Sequence, residues 1–403
     1  MDILKFWQKK HFKQFVVGFT SLCLLVTLNF YRLASITNNK LSQPEVEAVK
    51  SSLSGRIILE NPLFLPYKLL TYLFLKLNLT TVFSLRLVTA LFGILLVIFF
   101  YFLIKRWFSP KIALLTSLLL ATSNLYLNYA RLAVPYILVP LGLLVLLWAT
   151  WWIYQSKVVK TKLLIASLLI ILCLYIPGLI WFCLIIVLLQ KNHLKTMFKG
   201  TPKNIISASV VLSLVLLFPL IIASIQQPKI FFQLLAIPTS INLIEFLNNL
   251  VQVPISLIVR SEFNPVFGLG RLPYLDIVTV CLAILGTYAF VLRYKLMRTK
   301  ALVSAIIIAW ILISFENQIK IIILLPVIYI VVAGGIMFLL QQWYSVFPNN
   351  PISKFVTICL LSSILTLSVY YNSLRYFVAW ANNPLSQQAF QLKVKSISDT
   401  IDE

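Results

Sequence analysis

The sequence predicts an all-α protein that crosses a membrane many times. Of its 403 residues, 60% are hydrophobic and only 11% are charged, and the mean hydropathy is +0.95. A water-soluble chain of this length could not bury so much apolar surface in its core. Because one crossing takes about 20 residues, the chain has room for ten or eleven crossings and two larger loops. We therefore expect a single membrane domain over residues 1–403.

Apolar runs bounded by charged residues, Pro or Gly predict about eleven transmembrane helices. The Ile176-Pro177-Gly178 break is expected to divide residues 162–190 into two spans, because a single helix would be too long for the bilayer and Pro-Gly readily forms a tight turn. Without this break the orientation of everything downstream would reverse. The predicted spans lie near residues 15–33, 85–104, 111–128, 133–153, 162–176, 179–190, 204–224, 275–293, 301–315, 319–340 and 354–371.

The distribution of charge predicts that residues 1–14 lie in the cytoplasm of a multi-pass protein of the plasma membrane. With that orientation, 19 of the 34 Lys and Arg residues fall in cytoplasmic segments and ten of the eleven acidic residues fall outside. The first apolar run is long and has no cleavage site after it, so we expect a retained signal anchor. The net charge of +23 then reflects topology, and we expect no nucleic-acid partner.

Two predicted external loops, residues 34–84 and 225–274, are longer than simple hairpins, and residues 372–403 form a predicted external tail. Mixed polar and apolar stretches at 45–53, 61–77 and 241–259 are expected to form helices along the membrane surface. The chain shows neither an internal repeat nor a matching pair of broken helices, a pattern that argues against a secondary transporter.

Few residues are suited to chemistry. The acids of the first external loop are Glu45, Glu47 and Glu60. His11 and His193 fall in basic cytoplasmic turns far from any carboxylate, and the five cysteines fall inside apolar runs, so we expect no metal site built on these residues. The sequence has no Walker loop and no GxGxxG, so neither ATP nor a dinucleotide is indicated.

Several phrases of the first 155 residues resemble the C-type (GT-C) membrane glycosyltransferases, and within them the protein O-mannosyltransferase and aminoarabinose transferase branch. They are the phrase NPLFLPYKLL from Asn61 to Leu70, the phrase SLRL around Arg86, the basic turn KRWF from Lys105 to Phe108, and the phrase YAR ending at Arg131. Beyond this part the resemblance is confined to short phrases near residues 325–335 and 347–351.

The resemblance implies a function. Such enzymes transfer a sugar from a polyprenyl-phosphate carrier to an acceptor at the external membrane face, and a loop carboxylate deprotonates the acceptor. By position, Glu45 matches that base and Glu47 is its substitute. The alternative for either acid is ordinary solvated surface. Two departures weaken the match, because Pro44 replaces the first acid of the usual pair and no carboxylate stands between Arg131 and Tyr136.

The leaving group of this reaction is a phosphate, so the site needs cations near it. Arg86 and Arg131 are the favoured phosphate ligands, followed by Lys68 and Lys320, and the alternative for each is snorkelling to lipid headgroups. Lys320 also belongs to a short polar cluster with Glu316 and Asn317, which a plain hairpin explains nearly as well.

The expected partners are a polyprenyl-phosphate-linked sugar donor, membrane lipids and a glycan, lipid or protein acceptor that the sequence does not identify. No organic cofactor is expected. The family leaves room for a divalent cation, but the missing second acid argues against an ion bridging two carboxylates. Either one acid suffices for transfer, or the chain is a degenerate protein of the same fold. A lipid-carrier transporter without transferase chemistry is the remaining alternative.

Overall fold

The computed structural model describes residues 16, 18–155, 160–200, 202–315, 319–348 and 350–392. Most of the described part is helical, and it contains one small sheet. Helix α1 (Gly18–Thr37) leads to strand β1 (Leu41–Ser42) and then to three short helices. These are α2 (Gln43–Lys50), α3 (Gly55–Glu60) and α4 (Leu65–Lys76).

Longer helices follow and form the body of the molecule. They are α5 (Val82–Trp107), α6 (Pro110–Thr122), α7 (Asn124–Ala130), α8 (Leu138–Gln155), α9 (Lys160–Leu174), α10 (Leu179–Gly200), α11 (Lys203–Gln226), α12 (Pro228–Leu235), α13 (Leu243–Ile258), α14 (Ile277–Val291), α15 (Met297–Ser314), α16 (Leu324–Val346) and α17 (Pro351–Leu374). A π-helical turn (Arg375–Trp380), the short helix α18 (Pro384–Gln388) and strand β2 (Phe390–Leu392) close the described chain.

The predicted fold class is confirmed, because every apolar run named above coincides with a helix. Six helices are long and apolar enough to cross a membrane, α6 and α7 together make a seventh, and four further predicted spans are shorter apolar helices. The chain is thus a multi-pass membrane protein, and the exact number of crossings stays a prediction. The surface helices predicted in the two large loops correspond to α2, α4 and α13, whose position at the membrane surface also stays a prediction.

The third predicted span is not one straight helix. Helices α6 and α7 meet at an angle of 63°, because the backbone of Ser123 between them is extended. The Ser123 hydroxyl accepts a hydrogen bond from the backbone N–H of Tyr126 (3.3 Å) and donates one to the carbonyl of Leu120 (2.7 Å). One serine thereby ends the first helix and caps the second.

The break predicted at Ile176-Pro177-Gly178 separates α9 from α10. Gly178 has a positive φ of 77°, a conformation that residues with a Cβ rarely adopt. A Cβ there would also overlap the side chain of Ile319. The Gly178 N–H donates to the carbonyl of Leu234 (2.8 Å), so the turn is fixed against α12.

Helices α14 and α16 pack backbone to backbone, and the buried residues of α14 lie along this contact. A Cβ at Gly286 would overlap the carbonyl oxygen of Val331, and a Cβ at Gly335 would overlap that of Leu282. Small residues at such positions let membrane helices approach closely. Helix α16 is mostly buried, whereas α11 is exposed over most of its apolar length, as expected of a helix that faces lipid.

The C-terminal part of the described chain returns to the first loop. Strand β2 pairs antiparallel with β1, with Ser42 opposite Phe390 and Leu41 opposite Leu392. Gln387 adds hydrogen bonds to Asn38 and to the carbonyl of Ile36. This contact fixes the start of α2, and with it the first acids of the loop.

Candidate functional site

Glu45 is held at the start of α2 by a capping box. Its Oε2 accepts hydrogen bonds from the backbone N–H of Ser42 (2.9 Å) and from the Ser42 hydroxyl (3.0 Å), while the Ser42 side chain caps the same turn. The Glu45 side chain is fully buried. The position three residues into a helix, after a serine and a proline, explains why this glutamate turns back onto the backbone.

Arg86 of α5 pairs with Glu45 through two hydrogen bonds. Its Nε lies 2.8 Å from Oε1 and its Nη2 lies 3.1 Å from Oε2, a bidentate geometry that suits guanidinium and carboxylate. The remaining donors of Arg86 reach the carbonyls of Leu33 (2.9 Å) and Lys40 (3.1 Å). The Phe390 ring covers the guanidinium at 5.7 Å.

The same carboxylate also organises the loop after α7. Glu45 Oε1 accepts a hydrogen bond from the backbone N–H of Ala133 (2.9 Å), and the Tyr67 hydroxyl donates to the carbonyl of Ala133 (2.8 Å). Glu45 therefore accepts five hydrogen bonds, and neither oxygen has a free position for an acceptor hydroxyl.

In this structure Glu45 and Arg86 bind each other, and the prediction that they act on a substrate stays a prediction. The structure does bring the two together, but each is wholly buried and each serves the other. In this conformation the hydrogen bonds to Glu45 leave no lone pair for an acceptor hydroxyl. The pair instead joins the first loop, α5 and the C-terminal strand.

Arg131 lies close to this pair and is also buried, with 1% of its surface exposed. It donates from Nη2 to the carbonyl of Tyr31, and its guanidinium packs on the rings of Tyr376 (5.0 Å) and Phe377 (4.7 Å). Aromatic faces stabilise such a cation. Arg131 is therefore packed in the interior and lines none of the cavities described below.

Lys68 of α4 is buried as well, and its Nζ donates to the carbonyl of Asn61 (2.6 Å). Burial lowers the pKa of Lys68 to about 8, because a desolvated ammonium is costly. Glu47 differs from these residues, since it is exposed and accepts a hydrogen bond from Gln43 on the preceding turn of α2 (3.0 Å).

A polar cavity of about 330 Å³ lies elsewhere, beside α13. Helix α13 contributes Asn249 and Gln252, the segment between α13 and α14 contributes Glu262 and Tyr274, and Lys320 precedes the 3₁₀ turn that opens α16. Tyr129 of α7 closes the wall. Of the predicted site residues, only Lys320 lines this cavity. Glu316 and Asn317, its predicted neighbours, lie outside the described residues.

Aromatic rings pack behind Tyr129 and Lys320 of the cavity wall. Phe267 stacks on Tyr129 with ring centroids 4.5 Å apart, and Tyr136 packs edge-on against both. The Lys320 ammonium lies 5.7 Å from the centre of the Tyr136 ring. The cavity therefore combines a cation, a carboxylate, amides and aromatic faces.

The environment of the cavity raises the pKa of Tyr274. Burial, and then the nearby Glu262 carboxylate, raise the pKa of Tyr274 to about 12. The phenol thus stays protonated at neutral pH and can donate a hydrogen bond to a ligand oxygen.

The described residues offer no metal-binding set, because no three His, Cys, Asp or Glu side chains cluster among them.

Sequence reasoning missed Glu262 and the α13 wall. Glu262 is a lone acid between Arg260 and Asn264 in the second long loop, with no motif around it. The available signal was weak, namely that this loop is unusually long and carries amides on one face of a predicted helix at Asn249 and Gln252.

A scan against family models finds no match to this sequence, and a search of curated proteins finds no relative. Among solved structures, the fold is similar to that of ArnT from Cupriavidus metallidurans in the apo state, with a TM-score of 0.57. The alignment covers 93% of this chain and 78% of that chain at 12% identity. At this low identity the likeness concerns the fold alone. The chain has a GT-C-like fold, and the resemblance seen in the sequence is confirmed for the fold.

Proposed function

We propose that this protein is a membrane glycosyltransferase that takes a sugar from a polyprenyl-phosphate carrier at the cavity beside α13. The observation that carries the proposal is this polar and aromatic cavity with Lys320 in its wall, set in a GT-C-like fold. The acceptor is a glycan, a lipid or a protein.

The size and lining of the cavity suit a sugar phosphate. A volume of about 330 Å³ falls at the lower end of the range of small-molecule sites, roughly 300–1,000 Å³. Amide and phenol groups hydrogen-bond sugar hydroxyls. A lysine is a point charge that binds a phosphate strongly.

The position of the cavity fits the same reaction. Its walls come from the second predicted external loop, from the predicted external end of α7 and from Lys320 at the start of a span. In the predicted orientation all of these lie at the outer water–lipid boundary, where the headgroup of a carrier lipid would reach them while its chain stays in the bilayer.

The proposal can be tested by reconstituting the purified protein in nanodiscs with radiolabelled polyprenyl-phosphate mannose, glucose, galactose and aminoarabinose in turn. Loss of a charge-assisted hydrogen bond costs roughly 1.5–3 kcal/mol. Lys320→Gln should therefore weaken donor binding by about 10- to 100-fold. Lys300→Gln, at an exposed lysine of α15 outside the cavity, should bind as the wild type does. Wild-type protein that binds none of the four donors contradicts the proposal.

A second candidate is a protein of the same fold that binds the carrier lipid without transferring its sugar. The contacts of Glu45 favour this candidate, because the acid that matches the base of the family accepts hydrogen bonds from Arg86 and Ala133 in this structure. Tight donor binding by the wild type without any release of polyprenyl phosphate would decide for this candidate.

A further inference from the structure

We propose that Glu262 is the general base of this protein, in place of the sequestered Glu45. The inference rests on the proposed transfer function and deepens it by assigning the proton transfer to a residue of the second large loop. Two observations support it. Glu262 lies in the wall of the cavity beside α13, and the loop that carries Glu262 is held in place by hydrogen bonds and ring stacking.

The other acids of the described chain are excluded by their contacts. Glu45 and Asp276 are buried, and each is saturated by hydrogen bonds. Glu60 forms an exposed ion pair with Arg56 at 3.0 Å. Glu245 is exposed and does not line the cavity. Glu47 is exposed and lies within electrostatic reach of Tyr136, but it is not part of the cavity wall. Within the described residues, Glu262 is the one carboxylate in the cavity wall.

The segment that carries Glu262 is fixed at several points. The N–H of Ser261 donates to the carbonyl of Arg271 (3.2 Å). The Asn264 side chain accepts hydrogen bonds from the N–H groups of Val266 (3.1 Å) and Phe267 (3.2 Å). Phe267 in turn stacks on Tyr129. A catalytic group on a loop needs such support to keep its geometry.

The neighbours of Glu262 suit a base that works next to a phosphate. Glu262 is exposed at the cavity, so it can accept a proton from an incoming hydroxyl and pass it to solvent. Tyr274 lies near enough to Glu262 for the carboxylate charge to raise the pKa of the phenol. The protonated Tyr274 hydroxyl can donate a hydrogen bond to the substrate. Lys320 in the same wall supplies the positive charge that a leaving phosphate requires.

The step balances as a single displacement. The Glu262 carboxylate takes the proton of the acceptor hydroxyl while the acceptor oxygen forms a bond to the anomeric carbon. The bond between that carbon and the phosphate oxygen breaks, and its electron pair leaves with the polyprenyl phosphate, whose added charge is offset by Lys320. The proton then passes from Glu262 to water.

The test compares Glu262→Gln and Glu262→Asp with the matched control Glu245→Gln, an exposed acid of α13 in the same predicted loop. Donor affinity and the release of polyprenyl phosphate are measured separately in nanodiscs, with the four labelled donors named above. General base catalysis contributes about 10²–10⁴-fold. Glu262→Gln should therefore lower the turnover rate by at least 100-fold and leave the donor Kd within threefold of wild type. Glu262→Asp should restore part of the rate, and Glu245→Gln should behave as wild type.

Each other outcome overturns the assignment. Turnover of Glu262→Gln within threefold of wild type removes Glu262 as the base while the proposed transfer stands. Loss of donor binding together with turnover makes Glu262 a binding residue. A wild type that binds donor and releases no polyprenyl phosphate ends the transfer proposal, and the assignment ends with it.

Discussion

The buried ion pair of Glu45 and Arg86 links several segments in the interior of this protein. A buried pair contributes little over well-packed apolar residues, but removing one partner leaves the other charged and unpaired at a cost of about 3–5 kcal/mol. In this structure three further hydrogen bonds depend on the same carboxylate. Glu45 therefore connects the first loop, α5 and the loop that follows α7.

Glu45→Gln should accordingly lower the free energy of unfolding by about 3–5 kcal/mol, because an amide cannot balance the guanidinium charge of Arg86. Chemical unfolding in detergent micelles measures the change. Glu47→Gln, two residues further on an exposed position, should lie within about 0.5 kcal/mol of wild type. Equal stabilities of the two variants would refute the buried pair.

The buried Lys68 predicts a dependence of stability on pH. The folded chain lowers the pKa of Lys68 from 10.5 to about 8, so above pH 8 the unfolded chain binds more protons than the folded one. The free energy of unfolding should therefore rise with pH from 8 to about 9.5, below the range in which tyrosines titrate. Lys68→Met should abolish this rise, and Lys76→Met, at an exposed position on the same helix, should retain it. A wild type whose stability is flat or falls over this window would contradict the account.

The sequence indicated some of the residues of the site and missed others for physical reasons. It associated Glu45 with Arg86, and the two do touch. It could not show that they neutralise each other, because burial of a loop acid depends on the distant strand Phe390–Leu392. Lys320 was predicted because a cation at the start of an apolar run is conspicuous, and it does line the cavity. Glu262 was missed because a lone acid in a long loop carries no pattern.

The packing of α14 on α16 depends on glycines that face carbonyl groups. Gly286→Ala and Gly335→Ala would each place a Cβ on a backbone oxygen, which must separate the two helices. We expect each to lower the free energy of unfolding by about 1–3 kcal/mol, measured by unfolding in detergent. Gly55→Ala, where a Cβ meets nothing within 4 Å, serves as the control. Wild-type stability of both core variants would show that the helices are not this close.

The sequence predicted the positions of the helices better than the positions of the breaks between them. Long apolar runs identify membrane helices because the bilayer demands them, and the Pro-Gly turn before α10 was predictable from its residue types. The 63° bend between α6 and α7 was not, because a serine inside an apolar run is compatible with a continuous helix and caps a new one only when neighbouring helices hold the bend.

The molecule as a whole separates a packed interior from a polar cavity. The charged residues that the family resemblance favoured, Glu45, Arg86 and Arg131, lie in the interior, where they tie the N-terminal loop to the C-terminal strand and π-helical turn. The cavity beside α13 is built from segments distant in sequence, from Tyr129 to Lys320. Local sequence patterns cannot show which distant segments meet in the folded chain. The fold was therefore predictable from the sequence, whereas most residues of the cavity were not.

In the proposed function, the cavity beside α13 binds the phosphate end of a polyprenyl carrier. Photo-crosslinking tests it most directly, with a polyprenyl phosphate that carries a diazirine on its first isoprene unit, followed by peptide mass spectrometry. We predict crosslinks in α13, in residues 259–276 and next to Lys320, and their loss when excess unlabelled polyprenyl phosphate competes. Crosslinks confined to other surfaces, such as the apolar cavity of α14 and α16 around Phe338 and Trp343, would contradict the claim.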